Sequence, residues 1–310
     1  GERMSLQTRP MTELSARRGE QGVRQWLLQP KRRGEDSRLK RALIHFALIT
    51  ASIIVLYPVA RVVSTSLRPD QAVTSTSLAL IPEGATLDAY SRVLFETNFT
   101  NWVFNSLMVT FGVATLGLIF AAVSAYGFSR YRFRGRNSGL TFLFATQLIP
   151  GVMLLVPIFI IYVQAGLVNT YPGLMLAYAV TAIPFSIWIL KGYYDTIPFD
   201  LEEAAKIDGC TEFQAFYRVL LPLSVPALAI VYLLNFLAAW GEYFFARILV
   251  GGNEALLTWP LGMARFQAQF ATQWADLSAA AIMVSVPIVF LFVYISKYLV
   301  SGLTLGGVKG

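Results

Sequence analysis

The sequence predicts an all-α polytopic membrane protein with six transmembrane helices and both termini in the cytoplasm, on three observations. The chain has 310 residues, 55% of them hydrophobic and only 14% charged, with a mean hydropathy of +0.56, a balance foreign to soluble domains. Its apolar residues gather into six runs, near 42–66, 102–128, 139–164, 174–194, 226–249 and 274–298. A hydrocarbon core about 30 Å thick needs roughly 20 helical residues, which each run supplies. Twenty of the 25 Lys and Arg lie in the N-terminal tail, the 129–138 loop, the 191–225 segment and the tail from Lys297, leaving five for the opposite side. By the positive-inside rule the first set is cytoplasmic.

The elements follow in order. Residues 1–41 form a basic cytoplasmic tail, polar and Arg-rich, without the apolar core of a signal peptide. Its charge serves topology; basic residues collected between apolar runs, without aromatic interleaving, argue against nucleic acid as a partner. The body of the chain, 42–298, holds the six spans. Pro58, Pro150, Pro157, Pro184 and Pro287 fall within spans, where they free carbonyls and kink helices, as tolerated beside neighbouring helices or a cavity. Asn105, Gln147 and Asn235 are polar residues in spans, expected to make interhelical hydrogen bonds. A lone Cys210 and a lone His45 leave no metal-ligand set and no internal disulfide.

Between the fourth and fifth spans lies the cytoplasmic loop 195–225, with most of the charge of the second half. In "DLEEAAKIDGCTEFQAFYRVLLPLSVP", residues 200–226, Asp200 is expected as N-cap with Glu203 completing a capping box. Gly209 suits a left-handed C′ position, Thr211 with Gln214 repeats the box, and Pro222 is expected to stop the second helix. Phe213, Phe216, Tyr217 and Leu220 share one helical face, while Ala204 and Ala205 keep the first helix thin. On periodicity alone, docking into a groove and lying flat on lipid are equal alternatives.

The run Glu203-Ala204-Ala205, three residues, Gly209, nine residues, then Val219-Leu220-Leu221-Pro222 resembles the EAA loop, E-A-A-x-x-x-G-x9-I-x-L-P, of ABC importer permeases, departing only by Val at 219. With the ending "LVSGLTLGGVKG", the likeness from about residue 42 onward is to the MalG-like permeases of maltose importers, which have the type I ABC importer fold. The resemblance implies that the loop docks on a cytoplasmic ATPase, through Glu203, Ala204, Ala205, Asp208, Gly209, Phe213, Phe216, Leu221 and Pro222. It implies as partners a second, MalF-like permease, two copies of an ATP-binding subunit and an extracytoplasmic sugar-binding protein, besides membrane lipids. No cofactor belongs to this chain; ATP and Mg are expected in the partner ATPase subunits. The 299–310 tail, with Gly302, Leu303, Thr304, Gly306, Gly307 and Lys309, is implied to reach the ATPase, and its Gly/Lys spacing does not fit a phosphate loop.

The same resemblance implies that the external loop 251–273 meets the binding protein, with Gln267, Gln269, Phe270 and Gln273 at its tip; a plain surface loop is the alternative. Glu242, in or near the fifth span, matches a family Glu and is open to two readings, a pathway or gate role or an ion pair with Arg247. The expected function is half of the translocation path for maltose, maltodextrin or a related α-glucoside such as trehalose, in a bacterial or archaeal cytoplasmic membrane, with catalytic residues: none. The alternative is an ion-coupled secondary transporter, which calls for intramembrane carboxylates and repeated halves; Glu242 is the one candidate carboxylate. An intramembrane enzyme lacks both H-E-x-x-H and a nucleophile and base pair.

Overall fold

The structure is a computed structural model that describes residues 37–69, 81–267 and 272–306, the side chains of 299–306 excepted. It is helical, with no named strand among the described residues. Two compact units divide at Val62/Val63. The first contains most of α1, Arg38–Ser66, an apolar helix of 29 residues that accommodates Pro58 without a break.

The second unit holds the rest. Its centre is α3 (Phe99–Arg130) packed on α6 (Tyr171–Tyr194) and α9 (Val225–Trp240), with α12 (Trp274–Gly306) against α9 and α2 (Asp88–Phe95) against α12. Apolar side chains alone do not drive helices together in lipid; close approach does, and small residues permit it. The buried side of α3 carries Ala114, Gly117, Ala121, Ala122 and Ala125. A Cβ on Gly117 would stand 3.2 Å from Asn235 Nδ2 of α9, so this crossing is set by the missing side chain. Asn235 in turn accepts a hydrogen bond from Ser186 of α6 at 2.8 Å.

Two expected spans are interrupted. The third divides into α4 (Arg136–Thr146) and, beyond a 3-10 turn at Gly151–Leu154, α5 (Leu155–Gln164), bent by 95°. Pro150 adopts ψ 125°, an extended setting that turns the chain, and it has no amide to continue a helix. Pro157, in the first turn of α5, breaks nothing because amides there lack intrahelical partners anyway. The fifth stops at Trp240 and resumes as α10 (Phe244–Leu249). Among the described residues, four helices are long and apolar enough to cross a membrane, or up to six if each bent pair is one span. One such pair joins α9 to the helix before it at 79°, but that helix carries Glu212, Gln214 and Arg218 and reads as an interfacial element.

Large side chains fill the two ends. At one end Trp102, Phe236, Trp240, Phe245 and Phe266 form a cluster; α11 (Trp259–Met263) lies so close that a Cβ on Gly262 would stand 2.0 Å from the Trp102 ring. At the other, cytoplasmic by the charge count, Ala121, Ala125, Leu190, Tyr194, Phe216 and Leu220 pack together.

Candidate functional site

The cytoplasmic loop folds into α7 (Asp200–Ile207) and α8 (Glu212–Leu223). α7 starts one residue earlier than expected from a side-chain cap: Phe199 is the N-cap, helical at φ −64°, and no side chain caps it. Asp200 therefore sits inside the first turn, where its charge still favours the helix N-terminus. Gly209 has φ +91°. The Cys210 amide donates to the Ala205 carbonyl and the Gly209 amide to Lys206, both at 3.0 Å, the paired bonds of a Schellman termination that only a left-handed residue permits. Thr211 and Gln214 then form a reciprocal capping box.

α8 does not stop at Pro222. Its middle, Phe216–Leu220, is a π turn, helix continues over Leu221–Leu223, and the bend comes at Ser224. Pro222 has no amide to give and its ring presses on the carbonyl four residues back; the widened turn just before it accommodates both. The turn also divides the expected aromatic face. Phe216 and Leu220 are buried, Phe216 with its ring centroid 4.6 Å from that of Tyr126, whereas Phe213 and Tyr217 stay exposed. Phe216, expected in the docking set, is buried against Tyr126 and anchors α8 to the bundle.

What faces outward is a compact surface: Leu201, Glu203, Ala204, Ile207, Asp208, Gly209, Phe213 and Pro222 are exposed, Ala205 and Leu221 half-buried. Ile207 is 87% and Phe213 68% exposed. Large apolar side chains offered beside charged ones on a polar loop mark an interaction surface. Behind them the loop is braced. Glu212 accepts from the Tyr131 hydroxyl at 2.5 Å and from Lys206 Nζ at 3.3 Å, and these donors hold its carboxyl below the usual range. Missed by sequence reasoning is Glu202, whose carboxylate is fully buried and meets Arg130 Nε at 2.6 Å. The two lie 72 positions apart; the one sequence signal was a carboxylate next to the motif and a basic residue closing the second span.

The break in the third span forms a second notable region. It borders a cavity of about 370 Å³ lined by Thr146, Gln147, Gly151, Thr181 and Pro184 among others. Gln147 donates to the Thr181 carbonyl at 3.2 Å. Gln147, Leu148 and Ile149 are exposed, and among the described residues their carbonyls accept no hydrogen bond. An unpaired carbonyl in hydrocarbon costs several kcal/mol, so this seam has to face water or another chain rather than lipid.

Glu242 caps backbone amides rather than pairing with Arg247. Its two oxygens accept from the amides of Phe245 and Ala246 at 3.0 and 3.1 Å, capping α10, and no ion pair joins it to Arg247 among the described residues. Asn105 donates to the Ala255 and Leu257 carbonyls at 2.8 and 2.9 Å, so it ties α3 to the outer segment.

In the expected outer loop, Gln267 bridges to Thr272, and Gln273 joins Glu96, Asn98, Trp102 and Arg265 around a cavity of about 420 Å³. Gln269 and Phe270 lie outside the described residues. The backbone of Gly302, Leu303, Thr304 and Gly306 continues α12 instead of forming a separate tail, while Gly307 and Lys309 also lie outside the described residues.

Comparisons with known proteins agree with this architecture. Residues 114–304 match the family described as "Binding-protein-dependent transport system inner membrane component". The chain is 34% identical over 274 residues to the maltodextrin transport system permease protein MdxG of Bacillus subtilis, covering 88% of this chain and 97% of that one. It is 33% identical over 297 residues to the maltose/maltodextrin permease MalG of Vibrio parahaemolyticus, covering 89% and 98%. Among solved structures, a bacterial ABC transporter that imports the acidic polysaccharide alginate superposes with a TM-score of 0.71 at 26% identity, over 84% of this chain and 96% of that one.

Proposed function

Because the chain belongs to the family of binding-protein-dependent transport system inner membrane components, we propose that it forms half of the translocation path of an ATP-driven importer of maltose, maltodextrin or a related α-glucoside. The observation that carries the coupling part of this reading is the loop α7–α8, which is anchored behind by Phe216 and Leu220 and offers Ile207 and Phe213 in front. On this reading α7 docks into a cleft of an ATP-binding subunit, two copies of which bind ATP with Mg and hydrolyse it. This chain contributes no catalytic residue. A second, MalF-like permease covers the seam at Gln147–Ile149 and encloses the path, and a sugar-binding protein delivers the solute at the outer end near Gln273. The setting is a bacterial or archaeal cytoplasmic membrane.

Closure of the ATPase subunits moves α7 as a rigid body, and access to the path alternates. The test is reconstitution of the permease pair, ATPase and binding protein in liposomes, with maltose, maltodextrin and trehalose as solutes. Glu203→Lys and Phe213→Asp are expected to abolish ATP-driven uptake and ATPase association. Uptake indifferent to both, in assembled complexes, would overturn the docking role; uptake driven by a proton gradient without ATP would overturn the importer reading.

A further inference from the structure

We infer that the buried Arg130–Glu202 ion pair is the link that delivers motion of α7 to the spanning helix α3, which makes Arg130 and Glu202 positioning residues for the coupling of hydrolysis to transport. The inference rests on the docking role proposed for α7. Among the described residues, every ion pair or hydrogen bond between α7 and a spanning helix runs through Glu202. The remaining polar tie of α7 runs from Lys206 to Glu212 of α8, which in turn accepts from the hydroxyl of Tyr131, the residue after α3; that route is exposed and indirect, whereas the Glu202 contact is buried and direct. The link is therefore narrow, and its end points are defined.

Its chemistry suits transmission. Glu202 is 1% and Arg130 8% exposed at the side chain, so neither salt nor water screens the pair as it would at a surface. The guanidinium is held in three directions: Nε donates to Glu202 at 2.6 Å, Nη2 to the Ile197 carbonyl at 3.1 Å and Nη1 to Ser129 Oγ at 3.2 Å. Phe199 also lies 5.8 Å from it, ring centroid to Cζ. One rigid planar group thus grips α7 and the segment leading into it. Apolar contacts can slide when pushed, whereas a hydrogen-bonded ion pair fixes distance and direction. Arg130 ends a 32-residue helix without a break, packed on α6 and α9, so a displacement at its foot is carried along the whole bundle. Burying two charges is a poor way to gain stability, which leaves positioning as the reason for the pair.

The experiment uses the full complex in liposomes and reads sugar transported per ATP hydrolysed. Glu202→Gln and Arg130→Lys are expected to lower that ratio on the order of tenfold, with hydrolysis persisting, and the double variant Glu202→Arg with Arg130→Glu is expected to restore part of it. Cys210, the sole cysteine, provides a crosslink to the ATPase that reports docking. A retained crosslink with the ratio unchanged in Glu202→Gln or Arg130→Lys would overturn the inference, as would uptake and hydrolysis that fall in proportion. Absence of the crosslink in the unsubstituted complex would instead overturn the docking role on which it rests. If Glu202→Gln does not assemble, Arg130→Lys, which keeps the charge, decides alone.

Discussion

The second and third spans are built from similar apolar sequence and do opposite things. α3 runs 32 residues without interruption, its inner side lined by small residues and its foot tied by Arg130. The third span breaks after 11 residues, turns through 95° and leaves three carbonyls without a hydrogen bond among the described residues. One is a rod and the other is a joint. The difference teaches that rigidity here comes from close packing and polar anchoring at the ends, while the break exposes polar backbone.

Substitutions can break that contrast, and the largest effect is expected at the foot of the rod. Glu202→Ala leaves the buried Arg130 without its partner and is expected to destabilise the protein by about 3–5 kcal/mol, read as a fall in thermal unfolding midpoint in detergent. Gly117→Val forces bulk into the crossing of α3 with α9 beside Asn235 and is expected to cost about 1–3 kcal/mol by the same measurement. Gly209→Ala places a side chain at φ +91°, a left-handed conformation that costs an L-residue roughly 1–2 kcal/mol. The expected reading there is faster proteolysis between α7 and α8 with the spanning helices intact. At the joint, Pro150→Ala is expected to change stability by under about 1 kcal/mol, since few packed side chains depend on it; equal damage at Pro150 and Gly117 would erase the distinction.

The smallest effect concerns acid. The Tyr131 and Lys206 donors lower the Glu212 pKa from its value in the unfolded chain, so the brace contributes above the unfolded value and is lost as pH falls through the folded one. Accessibility of Cys210 to a thiol reagent, read against pH, is expected to rise below about 4.5 and to lose that dependence in Glu212→Gln.

Much of this was legible in sequence because it is local. The left-handed Gly209, the Thr211–Gln214 capping box and the second and fourth spans depend on residues a few positions apart. The Asp200 cap failed because Phe199 already adopts helical geometry, so a side-chain acceptor was not needed. Proline content could not locate the break: Pro58, Pro184 and Pro287 all lie inside continuous helices, and only Pro150 divides one. Whether a proline bends or breaks a helix depends on what covers the freed carbonyls, which is tertiary information. The burial of Glu202 was hidden for the same reason, since its partner lies on another helix.

The open carbonyls of Gln147, Leu148 and Ile149 have a stereochemical consequence on the proposed route. A backbone carbonyl accepts a hydrogen bond from any hydroxyl that reaches it, axial or equatorial, and carries no side-chain identity with which to tell one sugar epimer from another. If the proposed route runs along these carbonyls, it is permissive toward the pyranose that passes, and discrimination falls to surfaces that can count and orient hydroxyls before entry.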